Sequence, residues 1–189
     1  MQNLFIQIDP NGANAIVIAG GSNRSLDRDD VAIALEQTTA AVWLLLQNET
    51  NLIPEVLAGA ASRSINVAIN IAPADARIGA YDLSGAKLII VNEIEATALS
   101  GLTGEQGIAP PEDALEELGR RWPDATHVLT LGADGLLYRE PGGETCRLPA
   151  FTIDAVDETA AGDAFIGYLL ASILAGQPLA RSLVRASAA

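Results

Sequence analysis

Asp157-Glu158-Thr159-Ala160-Ala161-Gly162-Asp163-Ala164-Phe165 sets small residues and carboxylates at the mouth of a strongly apolar stretch. From Gly162 to Gly176 the apolar residues Phe165, Tyr168, Leu169 and Ile173 recur at helical spacing, and Ile166, Leu170 and Leu174 add apolar surface on other sides. That pattern predicts a largely buried helix, stopped by Gly176 and Pro178, with a short helix from Leu179 to Ala186 after it. The first turn of a helix has N–H groups without intrahelical partners and carries the positive end of the macrodipole, so an anion can settle there without a lysine. Gly162 allows close approach, and Asp163 is placed to take a proton from a hydroxyl lying between it and a bound phosphate. On one D-x-T alone, helix capping by Asp157, Thr159 or Asp163 explains the residues equally well.

Working outward, strand and helix patterns alternate. Leu4 to Ile8 and Ala15 to Ala19 read as strands joined by Asp9-Pro10-Asn11-Gly12, a turn-forming sequence that predicts a β-hairpin. Asp29 to Thr38, Pro54 to Arg63, Glu93 to Ser100 and Pro111 to Arg121 read as helices. Val42 to Gln47, Ile65 to Asn70, Lys87 to Val91, His127 to Leu131 and Leu136 to Arg139 read as strands. This order predicts an α/β domain whose parallel sheet is covered on both faces. The Ala109-Pro110-Pro111 stretch reads as a loop entering a helix, and no internal repeat or linker divides the chain.

Composition bounds the function. The 189 residues suit one domain, and their mean hydropathy of +0.25 is high. Even so, no apolar run approaches the ~20 residues of a spanning helix, and the first residues lack the basic and apolar regions of a signal peptide. A net charge of -13 argues against nucleic acid, whose phosphates are bound by clustered Lys and Arg. The single cysteine, Cys146, excludes an internal disulfide and suits a reducing cytoplasm. The only lysine, Lys87, begins a strand pattern outside any G-x-x-x-x-G-K-[ST], so a P-loop is absent. One His and one Cys cannot build a multi-ligand zinc site, and His127 reads as an ordinary strand-edge residue. G-x-S-x-G and G-x-G-x-x-G after a strand are both missing.

Other local patterns have simple readings of their own. Asn92-Glu93-Ile94-Glu95 forms a capping box, with Asn92 as N-cap and Glu95 three residues on. Thr130-Leu131-Gly132-Ala133-Asp134-Gly135 forms a turn between two strands. Asn70-Ile71-Ala72-Pro73-Ala74 leads from a strand into a loop, and Gln47-Asn48-Glu49 ends a strand with an exposed acid.

Taken together these segments resemble the ribokinase (PfkB) family of sugar kinases. Residues 157–165 match its D-T-x-G/A-A-G-D-x-F signature, with Glu158 in place of the usual Thr and Ala160 where many relatives have Gly. The resemblance implies a ribokinase-like three-layer α/β fold with a mostly parallel sheet, here incomplete, in which residues 1–189 form one partial domain. Residues 1–20 then resemble the remnant of the family's β lid. It implies that Asp163 is the catalytic base and that the N–H groups of Ala160, Ala161 and Gly162 form the anion hole. Asn92 and Glu95 match the N-x-x-E motif, which implies Asn92 at the nucleotide and Glu95 at Mg²⁺ through water, in the family's manner. Thr130, Gly132 and Gly135 match the T-L-G-x-x-G nucleotide loop. Glu49 matches the acid near the sugar, and Asp157 with Thr159 matches half of a monovalent-cation (K⁺) site. The implied cofactors are ATP and Mg²⁺, with a sugar as acceptor.

The match departs from the family at both ends. The G-G-x-x-x-N segment and the early acid that binds sugar hydroxyls are missing, and Arg185 to Ala189 resembles a helix that leads on to an adenine loop. The sequence is therefore expected to be a fragment or a degenerate copy, with an exposed sheet edge that favours pairing, including a homodimer. The leading expectation is transfer of the ATP γ-phosphate to a sugar hydroxyl. The alternatives are a non-catalytic nucleotide-binding or regulatory module, and a structural remnant that binds neither ligand.

Overall fold

A computed structural model describes residues 3–8, 14–19, 21–39, 42–153 and 160–189. Strands β1 (Asn3–Ile8) and β2 (Asn14–Ala19) pair antiparallel as a two-stranded sheet, from Asn3 opposite Ala19 to Ile8 opposite Asn14. The expected hairpin pairing is present, while its turn at Asp9 to Gly12 lies outside the described residues.

Helix α1 (Arg28–Gln37) is capped by Asp27, whose side chain accepts from Asp29 N and Asp30 N. The chain then alternates β3 (Trp43–Gln47), α2 (Ile53–Ala61), β4 (Asn66–Asn70), β5 (Leu88–Asn92), α3 (Glu93–Ser100), α4 (Pro111–Arg121) and β6 (Thr126–Thr130). Strands β7 (Leu136–Arg139) and β8 (Cys146–Leu148) and helices α5 (Ala161–Leu174) and α6 (Leu179–Ser187) follow. The second sheet has the order β3-β4-β5-β6-β7-β8. Its first four strands are parallel, and β7 and β8 return antiparallel. Strand β8 has no counterpart in the sequence reading, because three residues flanked by turns are too short to show alternation.

Side-chain alternation along each strand builds two separate cores. Val67, Ile69, Ile89, Val91, Leu129 and Leu137 point to one face, where they pack with Leu57 of α2, Leu99 of α3 and Leu115 and Leu118 of α4. Ala68, Leu88, Ile90, Val128 and Leu136 point to the other, against Phe165, Ile166, Leu169 and Leu170 of α5 and Leu183 of α6. The result is the expected three-layer arrangement. In α4 the packing is legible residue by residue: Pro111 opens the helix, Glu112 and Asp113 lie in the first turn, and Arg120 and Arg121 in the last, all favourable to the helix dipole. Its buried Ala114, Leu115 and Leu118 recur at helical spacing, and fully burying two leucines contributes roughly 3–6 kcal/mol.

One expectation fails here. His127 is the second residue of β6 and is only 1% exposed, so it is a core residue and not a strand-edge one. It shares the alternation phase of Leu129 and sits opposite Ile89 and Arg139, and neither ring nitrogen has a hydrogen-bond partner.

Among the described residues β3 pairs only with β4, which leaves its other edge open. Leu45, in the middle of β3, is 41% exposed. An open edge with an apolar side chain is a template for pairing, and a lysine on the edge opposes it. Leu45→Lys is expected to reduce self-association measured by light scattering over a concentration series. A wild-type chain that stays monomeric at every concentration contradicts this.

Candidate active site

The four parallel strands β3, β4, β5 and β6 end in Gln47, Asn70, Asn92 and Thr130. Alternation places these four polar residues in the phase of Trp43, Ala68, Ile90 and Val128, the face that packs against α5 and α6. Ligands of open α/β sheets bind outside the carboxyl ends of the strands, and this row lies along that edge.

Helix α5 begins beside it. Asp163 lies in the first turn of α5, and Gln47 Nε2 donates to its Oδ1 at 3.1 Å, across 116 residues of sequence. The same Nε2 donates to Asn70 Oδ1 at 3.3 Å, and Asn70 Nδ2 donates to the carbonyl of Ile90 at 3.2 Å. Among the described residues no side chain caps α5, whose N-cap is Ala160. Among the described residues, nothing stands within 4 Å of a Cβ built on Gly162. Asp157 and Thr159 lie outside the described residues.

Ala160 holds φ 62 and ψ 12, in the left-handed region. An L-residue there costs about 1–2 kcal/mol, of which glycine's greater freedom in the unfolded chain returns a part. Ala160→Gly is accordingly expected to raise stability by about 0.5–1 kcal/mol in urea denaturation, with no loss of helix. A destabilised variant would show that the methyl group contributes packing that outweighs the backbone term.

Asn92 and Glu95 form the expected capping box in full. Asn92 Oδ1 accepts from Glu95 N at 2.9 Å, and Glu95 Oε2 accepts from Asn92 N at 2.9 Å. Glu95 Oε1 also accepts from Asn92 Nδ2 at 3.0 Å. Glu95 is 3% exposed, and burial raises its carboxyl above the ordinary value, although the Asn92 backbone and side-chain bonds act in the opposite direction. Asn92 itself is exposed and pairs across the ladder with Thr130, whose hydroxyl donates to Val91 O at 3.4 Å.

After Thr130 the chain makes a short 3₁₀ turn over Gly132–Asp134 and returns as β7, so the turn reading holds. Gly132 and Gly135 both have positive φ, of 55° and 89°. Their surroundings differ. Nothing stands within 4 Å of a Cβ on Gly132, whereas one on Gly135 would be 2.1 Å from Leu148 O. The close approach that Gly135 permits is therefore to the chain's own backbone at the end of β8.

Glu49 follows Asn48, which is fully buried and joins the loop after β3 to the loop after β4. Asn48 N donates to Ala72 O at 3.0 Å and Asn48 Nδ2 to Pro73 O at 2.6 Å. Asn48 Oδ1 accepts from Tyr81 Oη at 2.7 Å, and Arg24 and Arg77 both donate to the Asn48 carbonyl. Burial raises the Tyr81 phenol above its usual value and keeps it a donor. Half-buried Glu49 is thereby held near the carboxyl edge.

Comparison with known proteins bears on the family and the fold. A sequence profile of the pfkB family carbohydrate kinases matches residues 4–189. The chain belongs to the pfkB family. It is 32% identical over 168 residues to a ribokinase of Staphylococcus aureus, a match that covers 86% of this chain and 53% of that one. Among solved structures it resembles the ribokinase of Thermotoga maritima, with TM-score 0.79 and 28% identity, covering 100% of this chain and 61% of that one. It also resembles the ribokinase of Cryptococcus neoformans in complex with ADP, with TM-score 0.77 and 27% identity, covering 98% of this chain and 63% of that one. The three-layer architecture is thus the ribokinase-like fold. The chain spans about half the length of the curated pfkB relatives that it matches.

Within this pfkB chain the structure brings Asp163 into contact with the ends of β3 and β4, and Asn92 next to Thr130. Gln47 and Asn70 escaped the sequence reading as members of the site. The signal available for them was their position: each is a polar residue ending an otherwise apolar strand, in the phase that faces the apolar helix.

Proposed function

We propose that this chain transfers the γ-phosphate of ATP to a hydroxyl of a sugar. One observation carries the reading: Asp163 stands in the first turn of α5, tied by Gln47 to the carboxyl edge of the parallel sheet. Asp163 accepts the proton of the attacking hydroxyl, while the N–H groups at Ala160, Ala161 and Gly162 stabilise the charge on the transferring phosphate. Asn92, Thr130, Gly132 and Gly135 serve the nucleotide. Glu49 faces the sugar. Residues 1–189 act as one partial kinase domain in the cytoplasm, with 1–20 as a lid hairpin and the β3 edge available to a second copy.

Among the described residues no group of three or more His, Cys, Asp or Glu could hold a metal ion. Mg²⁺ keeps several waters and is bound through one or two carboxylates plus the phosphates it serves. Glu95 fits such a role from behind: both its oxygens are engaged by Asn92, so it acts on the ion through Asn92 or a water. When bound, Mg²⁺ neutralises phosphate charge, which this acidic chain with one lysine needs. Asp157 and Thr159 complete the proposal as half of a K⁺ site.

A second reading, a non-catalytic nucleotide-binding or regulatory module, draws on the chain's spanning only about half of its curated relatives. Calorimetry with MgATP, followed by a phosphorylation screen over ribose, fructose, nucleosides and sugar phosphates, separates the two. Binding with turnover is expected. Binding without turnover favours the module, and neither binding nor turnover overturns both.

A further inference from the structure

We propose that Gln47 is a positioning residue for Asp163, the terminal member of an amide relay that starts at the backbone carbonyl of Ile90 and passes through Asn70. The inference rests on the kinase reading for its catalytic meaning but not for its existence. Gln47 and Asn70 are direct ladder partners, and Asn70 is in turn the ladder partner of Ile90, so the three lie in one line across β3, β4 and β5.

The polarity of this line is forced from its inner end. A backbone carbonyl only accepts, so Asn70 must turn its NH₂ toward Ile90 O, as the 3.2 Å contact requires. Asn70 Oδ1 then faces β3. A flipped Gln47 would set its own oxygen against Asn70 Oδ1, so Nε2 must face it, at 3.3 Å. An amide nitrogen carries two protons, and the second is directed at Asp163 Oδ1, at 3.1 Å. Among the described residues this is the hydrogen bond that the Asp163 carboxylate makes. Asn70 is 8% exposed, so water does not readily compete for the inner links. A donor fixed on Oδ1 sets the rotation of the carboxylate and so presents Oδ2 in one orientation. General bases work through such placement, and a misplacement of an ångström costs large factors.

Three measurements test the relay. In ¹⁵N spectra the side-chain amide of Gln47 is expected to shift on Asp163→Asn and again on Asn70→Ala; a Gln47 amide indifferent to both overturns the relay, whatever the activity. Gln47→Leu is expected to lower kcat ~10- to 100-fold, the effect of one hydrogen bond to a charged group, with MgATP affinity unchanged. In the Asp163→Asn background the same substitution is expected to cost little, because the group it holds no longer acts as a base. An equal loss in both backgrounds assigns Gln47 a merely structural role and overturns the proposal. A wild-type chain without turnover on any sugar overturns the kinase reading together with the catalytic use of the relay, while the amide shifts still decide whether the relay exists.

Discussion

Asp163→Asn is expected to lower turnover about 10²- to 10⁴-fold, the usual contribution of a positioned base. The substitution is nearly isosteric, and an asparagine oxygen still accepts from Gln47 Nε2, so α5 keeps its place on the sheet. Affinity for MgATP should hold or rise, since the variant removes a negative charge from a helix mouth where phosphate is to sit. This separation of effects is diagnostic. In phosphoryl transfer the protein supplies position and electrostatics, and a residue acting only on the acceptor hydroxyl changes kcat without changing nucleotide binding. Steady-state kinetics with calorimetry on both proteins makes the comparison. Equal turnover removes Asp163 from the mechanism, and a parallel loss of MgATP affinity would place it on the nucleotide instead.

The parts of this site that were legible in the sequence are those with local causes. Helices Glu93–Ser100 and Pro111–Arg121 coincide with their expected bounds, since the Asn92 cap and the proline before Glu112 mark their starts without help from tertiary contacts. Strand β6 shifts by one residue against expectation, to Thr126–Thr130, because apolar character fixes a strand's middle better than its ends. The family motif located Asp163, and helical periodicity located α5. Neither shows what touches Asp163, which is 116 residues from Gln47 in sequence. That contact depends on the order β3-β4-β5 in the sheet and on alternation phase, both of them long-range outcomes. Gly135 illustrates the same limit. Its positive φ was implicit in a turn motif, but the neighbour that requires glycine, Leu148 O, belongs to a strand too short to be read from sequence.

The same alternation explains why polar residues gather at one edge of an otherwise apolar sheet. Within β4 and β5, Val67 to Ile69 and Leu88 to Val91 are buried on both faces, so the strand interiors admit no polar side chain without a partner. Gln47, Asn70 and Asn92 occur only at the last position, where a neighbouring strand, a helix start or solvent can satisfy them. Fold and site are two consequences of one rule about burial. The interior exception is His127.

Between pH 7 and pH 4 the chain is expected to lose about 3 kcal/mol of stability through His127 alone. The imidazole lies 1% exposed in the core between the sheet and α4, with neither nitrogen hydrogen-bonded. Burial disfavours its charged form and the Arg139 guanidinium on the adjacent strand adds repulsion, while the nearby Ala125 backbone offsets them only in part, so its pKa falls from 6.5 to about 4. The unfolded chain therefore takes up a proton near pH 6.5 that the folded chain refuses until about pH 4. Stability from this residue is complete above the unfolded value and falls by about 1.4 kcal/mol per pH unit through the window below it. Glu95 acts in the opposite sense: burial raises its pKa, so the folded chain binds that proton more readily than the unfolded chain, and acid favours the fold there. His127→Leu isolates the histidine. It preserves an apolar filling of similar size and removes the titration, so the difference in unfolding free energy between variant and wild type should widen by about 3 kcal/mol from pH 7 to pH 4. Urea denaturation of both proteins across that range measures it. A difference that stays constant with pH would mean that the folded core accepts the imidazolium, and that the repulsion from Arg139 and the burial are relieved by rearrangement.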